Sequence, residues 1–217
     1  MRIAIINTGG TISCVGTPLA PMTATEFADA AHRLIGPSIR AAFPAIEVGF
    51  ITDLRFDASA QGTLDSTNLQ PRDWCVLAER ILADYDEYDA WVILHGTDSM
   101  AYTASALPFL LTSFAADGSP TAALDKPVIL TGSQVPLFAQ DAPDAALSLR
   151  FNTDAFQNLC AAIAAAATRI PEVAVAFRGR LFRGARVLKT DASHDDAFDS
   201  PNFPPLATFG IETRVDS

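Results

Sequence analysis

Apolar positions recur along this chain with two alternating periods. Arg2–Asn7 is a short β-branched run that stops at Thr8-Gly9-Gly10-Thr11, the pattern of a buried strand entering a tight glycine turn. A proline-containing loop leads to Met22. Thr23-Ala24-Thr25-Glu26 then has capping-box spacing, and Phe27, Ala31, Leu34 and Ile35 follow at helical intervals until Gly36-Pro37. The unit repeats. Residues 47–54 predict a second strand, Asp65-Ser66-Thr67-Asn68 a polar turn, and Pro71 the first position of a helix that carries Trp74, Leu77, Ala78, Ile81 and Leu82. Ala90–Leu94 is continuously apolar, as in a strand covered on both faces, and His95-Gly96-Thr97-Asp98 leads into a helical pattern over 100–114. A fourth unit has a strand over 127–131, the turn Gly132-Ser133-Gln134, a long loop and a helix over 147–167. A fifth strand spans Val173–Phe177.

This alternation implies a doubly wound α/β fold of the Rossmann-like or flavodoxin-like kind: a mostly parallel sheet, right-handed crossovers and helices on both faces. After Phe177 the pattern changes. Gly179 and Gly184 punctuate short extended pieces over 178–189, which predicts a β-hairpin near the C-terminus. From Thr190 the chain turns polar and proline-rich, and Ser200-Pro201-Asn202-Phe203-Pro204-Pro205 reads as linker. The expected organisation is one α/β domain over 1–198 and a linker-like tail over 199–217.

Ligands of such folds bind outside the carboxyl ends of the strands, where the turns 8–11, 65–68, 95–98 and 132–134 converge. Four hydroxyl-bearing turns at one edge point to a small polar ligand. Neither a dinucleotide fingerprint nor a P-loop is present. The turn Thr8-Gly9-Gly10-Thr11 offers backbone N–H groups beside two hydroxyls. That suits an attacking hydroxyl and an oxyanion site in one loop, and equally a capped turn whose threonines only satisfy backbone groups. Asp98 is either a site carboxylate or the N-cap of the following helix. Lys189 stands out because the chain has 13 Arg and two Lys, the other being Lys126. An ammonium can be tuned into proton transfer and a guanidinium cannot, although a lysine at a hairpin end is also an ordinary surface charge.

Composition narrows the classes further. With 217 residues, 49% hydrophobic and 18% charged, the chain is neither disordered, collagen-like nor a disulfide scaffold. Its longest apolar run, 159–167, is mostly alanine and far short of the roughly 20 residues of a membrane-spanning helix. The N-terminus turns polar at Asn7-Thr8 before a secretory segment forms, so a cytoplasmic location is expected. Fifteen basic against 25 acidic residues give a net charge of -10, which argues against nucleic acid as a partner. The one dense basic run, Arg178, Arg180, Arg183, Arg186 and Lys189, reads as the solvated face of a hairpin. Cys14, Cys75 and Cys160 lack paired spacings and His32, His95 and His194 are scattered, so free thiols and no metal site are expected.

Two stretches, Thr8-Gly9-Gly10-Thr11-Ile12 and His95-Gly96-Thr97-Asp98-Ser99-Met100, resemble the two signature segments of the L-asparaginases of the bacterial threonine-nucleophile class. Asp65-Ser66-Thr67-Asn68, the run from Lys126 through Gly132-Ser133-Gln134-Val135-Pro136, Arg180-Leu181-Phe182-Arg183-Gly184 and Asp196-Ala197-Phe198-Asp199-Ser200 resemble the cytoplasmic type I branch, in collinear order over nearly the whole chain. The resemblance implies a cofactor-free L-asparagine amidohydrolase with Thr11 as nucleophile. It implies Thr97, Asp98 and Lys189 as a second, proton-transferring triad. Gly10, Ser66, Thr67, Gly96 and Asp98 would hold the substrate's carboxylate and ammonium ends, with Ser133 beside the amide; one methylene separates asparagine from glutamine, too little for these residues to decide whether glutamine is a secondary substrate. Two departures from the family pattern stand out. The loop Cys14 to Met22 contains no tyrosine where members usually carry one, and the chain ends where members begin a second, smaller domain. Two rival readings follow: an asparagine- or aspartate-binding module with little turnover, and the ammonia-generating subunit of a tRNA-dependent amidotransferase. Surfaces that the second domain would cover favour self-association, so a homodimer or larger homo-oligomer is expected.

Overall fold

The computed structural model describes residues 1–140, 142, 145–210 and 212–215. In chain order the principal elements are β1 (Arg2–Asn7), α1 (Ala24–Leu34), α2 (Gly36–Ala42), β2 (Glu47–Ile51), α3 (Pro71–Ala83), β3 (Ala90–Leu94), α4 (Met100–Leu110), β4 (Val128–Thr131), α5 (Ala155–Ala167), β5 (Val173–Phe177), β6 (Arg180–Arg183), β7 (Ala207–Phe209) and β8 (Thr213–Val215). All eight strands join one sheet in the order β8-β7-β6-β5-β4-β3-β1-β2. The segment β2-β1-β3-β4-β5 is parallel, and β6, β7 and β8 extend it antiparallel.

The continuous apolar runs follow from cover on both faces. Ile3, Ile5, Val92, Leu94 and Ile129 pack against α1, α2 and α5, while the alternate residues Ala4, Ile6, Trp91, Ile93 and Leu130 pack against α3 and α4. Successive strand side chains point to opposite faces, so every position in β3 must be apolar. The predicted helix starts are in place. The Thr23 hydroxyl accepts Glu26 N at 3.2 Å and the Glu26 carboxylate accepts Thr23 N at 2.9 Å; α3 opens at Pro71.

Several boundaries differ from the sequence expectation. The second strand ends at Ile51, not at 54. The helix expected over 100–114 stops at Leu110: Pro108 lies inside it, the Thr112 hydroxyl takes the Pro108 carbonyl at 2.7 Å, and Ser113–Phe114 turns back as a ribbon against Pro120–Ala122. The helix expected from 147 begins at Ala155, because Ser148–Leu149 is extended and pairs with Phe138–Ala139. The hairpin is β5 and β6 joined by Arg178-Gly179, both at positive φ (49° and 72°), the requirement of a two-residue turn matched to strand twist. Gly184 therefore does not punctuate a hairpin strand but opens a one-turn 3-10 helix. The tail read as linker supplies β7 and β8, since Leu181 and Arg180 on β6 pair with Ala207 and Thr208. The basic run is largely neutralised: Arg183 meets Glu172 through two nitrogens at 2.6 Å, and Arg180 contacts Asp196 and Asp199.

Candidate active site

Strands β1 and β3 are neighbours whose connections lead to opposite sides of the sheet, which makes their carboxyl ends the topological switch point. Four turns meet there backbone against backbone. Gly9 and Gly10 lie at positive φ (116° and 78°), and Gly10 N donates to Leu64 O at 3.2 Å. A Cβ on Gly10 would stand 2.3 Å from Gly96 Cα, one on Gly96 2.5 Å from Ser66 Oγ, and one on Gly132 2.3 Å from His95 O. Glycine is required at these points because any side chain would push the turns apart. Thr11 and Thr97, each one residue beyond the Gly10–Gly96 contact, are thereby brought to the same edge.

The polar groups divide by what they touch. Lys189 lies on a two-residue ribbon, Leu188–Lys189 against Phe198–Asp199, and reaches back to the turn after β3. Its Nζ donates to Thr97 Oγ1 at 2.8 Å and to Asp98 Oδ1 at 2.6 Å. The lysine side chain is 16% exposed and the Asp98 side chain 60%, so the carboxylate keeps an open side. Asp98 is not the helix cap; that position falls to Ser99, whose hydroxyl donates to Ser66 O at 2.6 Å. Thr11 opens a single 3-10 turn, half-buried, and among the described residues nothing hydrogen-bonds its hydroxyl. The Thr8 hydroxyl donates to Leu94 O at 2.9 Å and so caps the end of β3. Ser66 is buried in the seam, whereas Thr67 is exposed and its hydroxyl donates to Asp65 Oδ1 at 2.8 Å. Ser133 is buried with its hydroxyl turned onto Val135 O at 2.7 Å, inside its own turn.

Three other residues brace the site, two of them, Asp154 and Asn158, outside every motif named above and the third, His95, at the head of a signature segment. Asp154, just before α5, accepts Gln134 N and Val135 N, both at 3.0 Å. Asn158, one turn later, donates to Gly132 O at 3.0 Å and accepts Arg178 N at 3.0 Å, tying the turn after β4 to the β5–β6 hairpin. His95 is fully buried, with Nδ1 2.8 Å from Gly96 O and Nε2 2.9 Å from Thr103 Oγ1. A carbonyl only accepts, so the proton is assigned to Nδ1, and Nε2 accepts from the Thr103 hydroxyl. Burial pushes the ring down to about 4, against the opposing pull of the Gly96 carbonyl. Cys14 and Ser13 both bond Gly10 O, at 3.3 and 3.2 Å. Burial and the charge of Asp65 raise the Cys14 thiol to about 11, so it stays protonated. Among the described residues no three His, Cys, Asp or Glu side chains cluster as metal ligands.

Fold and site together define a flavodoxin-like α/β domain whose switch point brings together hydroxyl-bearing glycine turns and a lysine–carboxylate pair. Residues 2–217 match the family described as "Asparaginase, N-terminal", and the chain belongs to the asparaginase family. It is 47% identical over 152 residues to L-asparaginase 1 of Escherichia coli strain K12, covering 70% of this chain and 39% of that protein. The crystal structure of L-asparaginase I from Vibrio cholerae superposes with a TM-score of 0.75 at 35% identity, covering 100% of this chain and 56% of that one. A glutamyl-tRNA(Gln) amidotransferase component from Methanobrevibacter smithii is 30% identical over 219 residues, covering 95% of this chain and 42% of that protein. The match spans 39% to 56% of the length of these three proteins. No helix among the described residues is long and apolar enough to cross a membrane.

Proposed function

We propose that this chain carries the reacting groups of an L-asparagine amidohydrolase, which converts L-asparagine and water to L-aspartate and ammonia. Thr11 Oγ1 adds to the side-chain amide carbon and its proton passes to the departing nitrogen. Ammonia leaves and a β-aspartyl ester to Thr11 remains. Water then adds to the ester carbon, and Thr11 recovers its proton as aspartate departs. Thr97, Asp98 and Lys189 handle these protons. The observation that carries the reading is the Lys189 ammonium held 2.8 Å from Thr97 Oγ1 and 2.6 Å from Asp98 at the edge where Thr11 stands. Asp98, with its open side, suits the substrate ammonium; Gly10, Ser66, Thr67 and Gly96 suit its carboxylate, and Ser133 its amide once its hydroxyl turns outward. The scheme uses no cofactor. Self-association and a cytoplasmic location belong to the same proposal, the former supported by Tyr102 and Phe109 on α4, 67% and 69% exposed.

The test is ammonia release from L-asparagine by the full chain beside Thr11→Ala and Lys189→Ala, with glutamine as comparison. Turnover in the parent that falls at least a hundredfold in both variants is the expected result. Asparagine binding with equal, negligible release from parent and Thr11→Ala would reduce the protein to a binding module. The relative named as part of an amidotransferase, matched over 95% of this chain, favours one second reading, in which ammonia passes to a partner protein. Unassisted turnover by the isolated chain speaks against it.

A further inference from the structure

Gln134 spans from Thr97 to the loop that follows Lys189, and its side-chain amide fits in one orientation only. Nε2 lies 3.4 Å from Ala192 O and 3.2 Å from His194 O; carbonyls only accept, so the nitrogen must face them. Oε1 is then left to accept the Thr97 hydroxyl at 3.3 Å. The backbone of Gln134 is pinned by Asp154 at 3.0 Å, which keeps the side chain in place.

A hydroxyl has one proton to give, and Thr97 Oγ1 is already accepting from Lys189 Nζ at 2.8 Å. While Lys189 is an ammonium it has no lone pair, so the Thr97 proton needs another acceptor. Gln134 Oε1 supplies it. Once Lys189 gives up a proton, its lone pair at 2.8 Å is the nearer acceptor than Oε1 at 3.3 Å, and the Thr97 proton turns toward it.

We propose, resting on the amidohydrolase reading, that Gln134 is a positioning residue: it parks the Thr97 proton while Lys189 is charged, and so sets the pH at which the Thr97–Lys189 pair becomes a base. The amide favours the charged form of Lys189, for which it is the acceptor that the ammonium cannot be. A side chain without an acceptor removes that preference and moves the lysine's titration to lower pH, whereas a carboxylate moves it to higher pH. The other charges facing Lys189 are accounted for. Asp98 contacts it directly; Asp191 and His194 pair with each other at 2.9 Å in the loop that follows; across the ribbon, Asp196 and Asp199 are engaged by Arg180. The Asp98, Asp196 and Asp199 contacts do not involve Gln134; the Asp191–His194 pair lies in the loop that Gln134 Nε2 holds, so the Gln134→Leu and Gln134→Glu variants are compared with each other, both having lost that amide nitrogen.

The experiment exploits the scarcity of lysine. Labelling the full chain with 13C-lysine gives two Cε signals, Lys126 and Lys189, assigned with Lys189→Arg. Titration of the parent, Gln134→Leu and Gln134→Glu is followed by NMR, with Gln134→Met in reserve should the leucine variant fail to fold. From the worth of one weak neutral hydrogen bond, the Lys189 midpoint is expected to fall by about 0.5–1 pH unit in Gln134→Leu. It rises by at least as much in Gln134→Glu, with Lys126 unmoved in both. The acidic limb of kcat/KM for asparagine follows in the same directions. Midpoints that stay in place, or move the same way in both variants, overturn the proposal, as does a uniform loss of rate with an unshifted limb. Because the NMR titration needs no turnover, shifted midpoints in a chain that releases no ammonia would refute the amidohydrolase reading alone. Turnover with unshifted midpoints would refute the role of Gln134 alone.

Discussion

Acidification from pH 7 to pH 5 should weaken the fold through His95. The ring is neutral and sealed in the core between Gly96 O and Thr103, with its pKa depressed to about 4, whereas an unfolded histidine titrates near 6.5. Between those values the unfolded chain binds a proton that the folded chain refuses. The contribution of the neutral ring is therefore complete above about pH 6.5 and is lost as pH falls toward 4. Linkage puts the loss at about 2 kcal/mol by pH 5 and about 3 kcal/mol by pH 4. For a chain of this size, the pH 5 loss corresponds to a drop in Tm of about 4–8 °C. Asp53, Asp117 and Asp191, held low by hydrogen bonds, add to the loss only toward pH 4, where unfolded carboxylates begin to take up protons, so the comparison stops at pH 5. The assay is urea unfolding of the parent and His95→Gln at pH 7, 6 and 5. The glutamine variant is expected to be less stable at pH 7 and to close the gap by about 2 kcal/mol at pH 5, since it has no ring to protonate. Parallel stability curves for the two proteins would refute the reasoning.

Two further outcomes follow from the packing of the seam and the state of the thiols. Gly96→Ala places a methyl 2.5 Å from Ser66 Oγ, so it should cost about 1–3 kcal/mol in urea unfolding. It should also lower kcat/KM for asparagine at least tenfold; parent-like kinetics would show that the contact has no bearing on the site. Cys75 is exposed, while Cys14 and Cys160 are part-buried with raised thiol pKa values, so a thiol reagent at pH 7.5 should modify one cysteine per folded chain promptly. Three equally fast reactions, read by mass spectrometry, would contradict the burial of Cys14.

The four inner parallel strands, β1, β3, β4 and β5, were legible because each is a short apolar run ended by a polar turn, and a strand buried on both faces leaves little room for any other pattern; the edge strand β2, only partly buried, was placed but its end was not. The starts of α1 and α3 were legible from local chemistry, the Thr23–Glu26 box and Pro71. What could not be read was settled by partners distant in sequence. Ala207–Phe209 looks like part of a linker until Arg180 and Leu181 offer it an edge to pair with. Ser148–Leu149 looks like the first turn of a helix until Phe138–Ala139 pairs with it. At the site, the hydroxyl-bearing turns were evident, and Lys189 was flagged by its rarity among arginines. Asp154, Asn158 and Gln134 were missed because their work is to hold backbone groups and one hydroxyl in place. A motif of residue types carries no trace of such a task.

Lys189 is held by a ribbon of two residues on each side, anchored through Phe198 against Phe177 at 4.9 Å between ring centroids, and lies outside the main sheet. The glycine seam, by contrast, is built on the ends of its central strands. Local opening of so small a ribbon requires far less free energy than global unfolding, so its amides should exchange with solvent by a separate, cheaper route than those of β1 and β3. In that opened form the cradle of turns survives while the ammonium is gone. The population of such a form would be set by the packing of Phe198 on Phe177 together with the hold of Thr97 and Asp98 on Lys189, so a change at a phenylalanine outside the turns should be felt at the lysine.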